Sequence, residues 1–206
     1  MDQVLTFIKN GGVMMYPLIL CSFVLIALCF ERFFVLRKAN VDGDELMEVV
    51  KRSVQPGGDA NQAEKACRQF GGAMGRMFAR GLKNAHREPD AIEMAMEQEA
   101  ANELPALEAN MPIIKTIATI APLLGLLGTI AGMIMAFRAA SQTGLSNPTQ
   151  ILGGISEALI STATGICLAV IAYIFFNVFA NQSKKIIEDM EYYGGELVNY
   201  LTGRID

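Results

Sequence analysis

Three long apolar stretches separated by polar sequence dominate the chain. They cover residues 13–30, 117–137 and 151–180. The second carries no charge, and the third carries only Glu157. At about 1.5 Å per residue, a helix of about 20 residues crosses a hydrocarbon core of about 30 Å. With 52% hydrophobic residues and a mean hydropathy of +0.33, the pattern predicts an integral membrane protein with three spans.

Small and polar residues mark one side of the second apolar stretch. At about 100° per residue they fall on a single narrow helix face. The face consists of Ala118, Pro122, Gly125, Thr129, Gly132 and Ala136. The opposite side carries the large residues Leu123, Leu127, Ile130 and Ile134. Because small residues let helices approach closely in a membrane, Pro122, Gly125 and Gly132 are predicted to pack against another helix.

Basic residues cluster after the first and third spans. The clusters are Arg32, Arg37 and Lys38, then Lys184 and Lys185. The positive-inside rule therefore places the N-terminus outside and the C-terminus inside. The predicted organisation is a periplasmic segment (1–12), a first span (13–38), a cytoplasmic helical region (39–112), a second span (113–137), a periplasmic hairpin (138–150), a third span (151–180) and a cytoplasmic C-terminal helix (181–206).

The polar region between the first two spans is predicted to form a series of helices. Asp42 or Asp44 is expected to cap the first, and a second runs from about Ala60 to the Gly71-Gly72 pair. A third covers about 73–86, and the Pro89-Asp90 pair starts an acidic helix expected to lead directly into the second span. No strand pattern is present, so the fold is predicted to be all-α.

Composition excludes several classes of function. The net charge is −4 without a basic run, which argues against nucleic-acid binding. The four cysteines lack metal-ligand spacing, and His86 is the only histidine. Phosphate-binding loops, nucleophile elbows and zinc-protease signatures are missing from the sequence. The chain is therefore predicted to be no enzyme, with no cofactor and no bound metal.

Polar residues also share one arc of the third span. Glu157, Ser161, Thr162 and Thr164 lie there together with small residues that include Gly154 and Gly165. A carboxylate inside a span costs about 2.5–3.5 kcal/mol, so it usually faces a bundle interior or a water-filled cavity. Hydroxyls can both donate and accept hydrogen bonds. The arc therefore favours an ion or proton pathway with Thr129 as the partner across the interface, although hydroxyls bonded to their own helix would serve packing alone.

Three motifs resemble the ExbB/TolQ/MotA family of proton-channel subunits. They are GGVMMYPLILCS leading to ERFFVLRK, APLLGLLGTIAGMIMAF, and GISEALISTATGICLAV. The resemblance extends over the whole chain, and its first motif is more similar to ExbB than to TolQ. It implies an all-α membrane protein of the bacterial inner membrane whose second and third spans extend into a helical cytoplasmic region.

The resemblance also implies partners and site residues. Similar subunits form a homopentamer around two single-span helices of an ExbD/TolR-like protein that supplies a membrane aspartate. The pore-lining threonines correspond to Thr129 and Thr162, and the membrane glutamate corresponds to Glu157. The chain departs from the family's third-span ending at Ile171, where a proline is usual.

The function implied is that of an inner-membrane motor subunit. With an ExbD-like partner it would couple the proton motive force to TonB-dependent outer-membrane transport, and a TonB-like protein would be a further partner. A TolQ-like or gliding-type motor, or a scaffold that conducts no ions, are the alternatives. A secondary transporter is disfavoured, because the sequence shows three spans without an inverted repeat.

Overall fold

In the computed structural model, residues 11–54, 60–143 and 148–204 are described. Over these residues the secondary structure is helical, without a strand, which confirms the all-α prediction. The helices are α1 (Met15–Ala39), α2 (Gly43–Ser53), α3 (Asn61–Phe70), α4 (Gly72–Lys83), α5 (Pro89–Glu108), α6 (Met111–Thr143) and α7 (Pro148–Thr202). The predicted periplasmic segment (1–12) and hairpin (138–150) lie partly outside the described residues.

Three helical stretches are long and apolar enough to cross a membrane, as the sequence predicts. They lie within Met15–Ser53, Pro89–Gln142 and Pro148–Thr202, and their most apolar 18-residue windows have mean hydropathies of 2.3, 2.1 and 2.2. The third stretch belongs to one continuous helix of 55 residues. Residues 151–180 and the C-terminal segment after them are therefore parts of the same element up to Thr202.

The chain divides into two compact units. The first, called the span unit below, comprises Met1–Glu31 and Asn110–Val178. The second, called the bundle unit, comprises Arg32–Ala109 and Phe179–Asp206.

Large apolar side chains fill the interior of the bundle unit. Phe78, Leu46 and Leu197 are each fully buried, and α4 contacts both α3 and α5. Polar contacts join α2 to the C-terminal part of α7. The Tyr193 hydroxyl donates to Asp44 Oδ1 at 2.8 Å, and this hydrogen bond to a carboxylate raises the pKa of Tyr193 to about 12.

The helix boundaries in the bundle unit follow local signals in the sequence. The side chain of Asp42 caps α2 by accepting from the backbone N–H groups of Asp44 and Glu45. Gly71 separates α3 from α4 with φ +80°, a conformation that costs glycine little. Pro89 begins α5, where its missing N–H leaves no helical hydrogen bond unmade.

The acidic helix reaches the second span with one short interruption rather than continuously. Helix α5 ends at Glu108 and α6 starts at Met111. Between them Asn110 takes φ +61°, a left-handed conformation that interrupts the helix and that Asn tolerates better than most residues. The Asn110 side chain donates to Glu31 Oε2 at 3.0 Å within the span unit.

A buried arginine satisfies the end of α5 within the bundle unit. Arg32 is 2% exposed, and its guanidinium donates to the Ala106 carbonyl at 3.0 Å. The last carbonyls of a helix have no partner in their own helix. A cation at this end also complements the helix dipole.

Candidate ion pathway between the second and third spans

Helices α6 and α7 pack against each other through glycine. A Cβ added at Gly132 would lie 2.5 Å from the Gly154 carbonyl oxygen, and one at Gly154 would lie 2.7 Å from the Gly132 carbonyl oxygen. Farther along the pair, a Cβ at Gly165 would lie 2.5 Å from the Ala121 carbonyl oxygen. Residue numbers rise along α6 as they fall along α7, so the two helices run antiparallel.

The residues between these contacts continue the close approach. A Cβ on Gly125 would lie 3.0 Å from both the Ser161 carbonyl oxygen and the Thr162 Cα. Pro122 is half-buried one turn earlier in α6. The large residues of α6 lie outside this contact: Leu123, Leu127, Ile130 and Ile134 are all exposed. The arrangement suits a membrane, where small residues form helix contacts and large ones face lipid or another protein.

Two threonine hydroxyls meet where α6 and α7 approach. Thr129 Oγ1 and Thr162 Oγ1 form a hydrogen bond in which either oxygen can be the donor. Both hydroxyls also lie within reach of the Gly125 carbonyl oxygen, at 3.0 Å from Thr162 and 3.3 Å from Thr129. Both threonines are half-buried. We call Thr129, Thr162 and the Gly125 carbonyl the hydroxyl cluster.

The hydroxyl cluster has two hydrogen-bond arrangements of similar geometry. Each hydroxyl carries one proton, and the carbonyl carries none. If Thr162 donates to Gly125, Thr129 can donate to Thr162; if Thr129 donates to Gly125, the direction between the hydroxyls reverses. Rotation of two hydroxyls thus reverses the chain of donors without moving the backbone. The cluster can pass hydrogen bonds along but cannot hold a charge near neutral pH.

The other two hydroxyls of the predicted arc occupy different surroundings. Ser161 is fully buried and donates to the Ala158 carbonyl at 3.0 Å, with the Gly125 carbonyl at 3.5 Å. Thr164 donates to the Ile160 carbonyl of its own helix at 2.8 Å. The structure therefore brings Ser161 to the edge of the hydroxyl cluster, whereas the Thr164 hydroxyl is bonded within its own helix.

Glu157 lies beside the start of the described chain. It is half-buried, and a methyl group at Gly12 would overlap its carboxylate. The α6–α7 pairing that matches Gly125 with Ser161 and Gly132 with Gly154 places position 157 level with Thr129. The span unit therefore holds one carboxylate within about two turns of Thr162 along α7.

Sequence reasoning missed two glycines at this site. Gly12 has φ +70° and leaves the space that the Glu157 side chain fills. Gly128 leaves room for the Ser161 hydroxyl, which a Cβ there would overlap. The helical projection that identified Gly125 and Gly132 could not find them. Gly12 precedes α1, and Gly128 lies off the narrow face predicted for α6.

The described residues contain no group of three or more His, Cys, Asp or Glu side chains able to hold a metal ion. The cysteines of the described chain are free thiols, and Cys67 is buried in the bundle unit. Burial raises the pKa of the Cys67 thiol to about 12. An activated nucleophile requires the opposite shift.

Known proteins are similar to this chain over the helices that form this arrangement. Residues 71–192 match the family model of the MotA/TolQ/ExbB proton channel family. An ExbB-like biopolymer transport protein from Synechocystis sp. is 32% identical over 195 residues, covering 93% of this chain and 76% of that protein.

Relatives of both named branches are similar to the chain. The biopolymer transport protein ExbB of Xanthomonas campestris pv. campestris is 28% identical, covering 70% of this chain and 55% of that protein. The Tol-Pal system protein TolQ of Pseudomonas aeruginosa is 32% identical, covering 54% of this chain and 53% of that protein. The family match includes α6 and most of α7, which carry the hydroxyl cluster. The chain belongs to the MotA/TolQ/ExbB proton channel family, as a multi-pass membrane subunit of the ExbB/TolQ type.

Proposed function

We propose that this chain is an ExbB-like subunit of a proton-driven motor in the bacterial inner membrane. With an ExbD-like single-span partner it couples the proton motive force to TonB-dependent outer-membrane transport. Its N-terminus is periplasmic and its C-terminus cytoplasmic, because the basic residues lie after the first and third spans. The family membership and the ExbB-like relatives support this proposal.

The hydroxyl cluster carries the proposal. Thr129 and Thr162 line a proton pathway, with Ser161 at its edge, while Glu157 and Thr164 contribute from the same arc of α7. The cluster can relay hydrogen bonds, yet a threonine hydroxyl does not titrate between pH 5 and 8. Proton passage therefore needs a carboxylate from a partner, in keeping with the membrane aspartate implied by the sequence resemblance. Its pKa would change as it moves between hydrated and desolvated positions.

The subunit alone should conduct poorly. Beside the hydroxyl cluster, the α6–α7 contact offers one carboxylate among the described residues, Glu157. Proton flux into liposomes holding the pure subunit should stay close to the level of empty liposomes. Flux equal to that of the whole complex would contradict the need for a partner.

A homopentamer around the partner is part of the same proposal. Large apolar side chains of the span unit are exposed in the single chain. They include Phe23, Leu127, Ile134 and Phe137. An apolar surface of this extent must be covered by lipid, by neighbouring subunits or by both.

Native mass spectrometry in mild detergent tests the proposal. The expected species is a pentamer of this chain that holds copies of a small single-span protein with a membrane aspartate. The periplasmic domain of that protein would then show whether the motor serves a TonB-type system. A homogeneous oligomer without such a partner, seen in several detergents, would overturn the motor proposal.

A TolQ-type motor is the second candidate. The TolQ protein of Pseudomonas aeruginosa, at 32% identity, is the observation that favours it. Deletion of the chain's gene distinguishes the two candidates. Loss of uptake through TonB-dependent receptors supports the ExbB-like function, whereas outer-membrane leakage with intact uptake supports the TolQ-like one.

A further inference from the structure

An open groove lies within the bundle unit, between α5 and the C-terminal part of α7. Its volume is about 410 Å³, within the range of pockets that bury small ligands. Three methionines and a valine form the buried floor, and a leucine and an isoleucine form the sides. These residues are Met77, Met96, Met190, Val198, Leu104 and Ile187. Methionine side chains are flexible and polarisable, so such a floor adapts to a bound apolar surface.

The length of the groove matches about three turns of a helix that would lay one face on it. On α5 the lining residues run from Glu93 to Leu104, and on α7 they run from Ile187 to Val198. Each of these two sets of lining residues covers about three turns, or about 16 Å along its helix axis. Gly195 lines the groove with no side chain, and a Cβ added there would meet nothing within 4 Å. Space therefore remains open along the α7 side.

Three carboxylates line the same groove. Glu93, Glu97 and Glu191 are exposed. Within the described chain, none of them forms a hydrogen bond or an ion pair. Five other glutamates of the bundle unit form ion pairs: Glu48 with Arg52, Glu64 with Arg68, Glu103 with Arg76, Glu188 with Lys184 and Glu196 with Lys51. The groove therefore places three carboxylates without a basic partner among the described residues beside an accessible apolar floor.

We propose that this groove binds a basic amphipathic helix of another protein. Its apolar face would lie on the methionines, and its Lys or Arg side chains would pair with Glu93, Glu97 and Glu191. Helix-in-groove recognition usually combines apolar anchors at helical spacing with complementary charges. A second copy of this chain fits less well. The basic helix α4, for example, has already buried Phe78 and Leu82 in its own unit.

A binding measurement on the full chain tests this proposal without depending on ion conduction. The protein is placed in nanodiscs of neutral lipid, and the probe is a fluorescein-labelled Leu/Lys amphipathic peptide of about four helical turns. A Leu/Glu peptide with the same apolar pattern is the control probe. Fluorescence anisotropy should show saturable binding of the basic peptide alone. Equal binding of both peptides would contradict the proposed role of the carboxylates.

Two pairs of variants locate the binding. Gly195→Leu fills the groove and should abolish binding, while Asn102→Leu places the same side chain at an exposed position of α5 outside the groove lining. Single exposed ion pairs are weak, so changing the three groove glutamates to Gln together should weaken binding about 10-fold. The matched control changes Glu45, Glu88 and Glu108 to Gln. Binding that survives both Gly195→Leu and the groove triple variant overturns the proposal.

Photocrosslinking in cells identifies the natural occupant. p-Benzoylphenylalanine replaces Ala101, which lines the groove, and the crosslinked residue is mapped by mass spectrometry. A crosslink to a basic amphipathic segment of another protein is expected. A crosslink to a second copy of this chain would contradict the proposal and assign the groove to an interface between subunits.

Discussion

The α6–α7 contact of the span unit and the interior of the bundle unit are built from side chains of different size. The contact between α6 and α7 consists of glycine, alanine and hydroxyl residues, while Leu123, Leu127 and Ile134 of α6 are exposed. In the bundle unit Phe78, Leu46 and Leu82 are buried, and five glutamates outside the groove pair with basic residues. This difference in packing reflects the solvent around each unit. Close backbone contact and hydrogen bonds hold helices together in lipid, whereas burial of apolar area drives packing in water.

The largest expected contrast comes from two phenylalanines. Phe78 is fully buried in the bundle unit, and Phe23 in α1 is 67% exposed. Phe78→Ala should lower the free energy of unfolding by about 3–5 kcal/mol, because it leaves a cavity in a packed core. Phe23→Ala should change it by less than about 0.5 kcal/mol. Thermal unfolding in detergent, followed by circular dichroism, measures both. Equal losses would remove the proposed difference between the units.

A glycine pair probes the close approach of α6 and α7. Gly132→Leu places a side chain against the Gly154 backbone, and such overpacking costs about 1–3 kcal/mol or more. Gly153→Leu is the matched control, because a Cβ at Gly153 meets nothing within 4 Å. The yield of intact oligomer on size-exclusion chromatography should fall for Gly132→Leu only. A normal yield for that variant would show that the backbones need not approach this closely.

A smaller effect is expected at the start of α2. Asp42→Ala removes the side-chain acceptor for two backbone N–H groups and should cost about 1 kcal/mol of bundle-unit stability. Asp42→Asn retains a capping oxygen and should restore most of the stability. Chemical denaturation of the two variants measures the difference. Full stability of Asp42→Ala would mean that water replaces the cap without cost.

No reaction with a thiol reagent is expected at Cys67 in the folded protein. Labelling of this thiol therefore tests its burial directly. Because burial raises the pKa of this thiol to about 12, almost none of it is thiolate at pH 8, and the thiolate is the reactive form. A variant that keeps Cys67 while Cys21, Cys29 and Cys167 become Ala should resist maleimide at pH 8. Labelling should become rapid in denaturant. Fast labelling of the folded protein would contradict the buried position.

Periodicity in the sequence predicted the small-residue face of α6 because helical periodicity follows simple geometric rules. The stripe from Ala118 to Ala136 needs only helical geometry and residue size, and the structure places Gly125 and Gly132 of that stripe against α7. The break at Asn110 was missed, because one left-handed residue leaves little trace between two helical patterns. Gly12 beside Glu157 was also missed, since contacts between distant segments depend on tertiary packing. The groove of the bundle unit was beyond sequence reasoning for the same reason.

Proton flux through the purified native complex tests the proposed pathway most directly. In proteoliposomes with a pH-sensitive dye inside, Thr162→Val should reduce flux at least about 10-fold, because the methyl group keeps the shape but removes the hydroxyl from the cluster. Thr162→Ser, which retains the hydroxyl, should keep most of the flux. Thr116→Val is the control, since Thr116 is exposed and bonded to the Pro112 carbonyl of its own helix. Full flux through an intact Thr162→Val complex would contradict the pathway and leave the hydroxyl cluster as a packing contact.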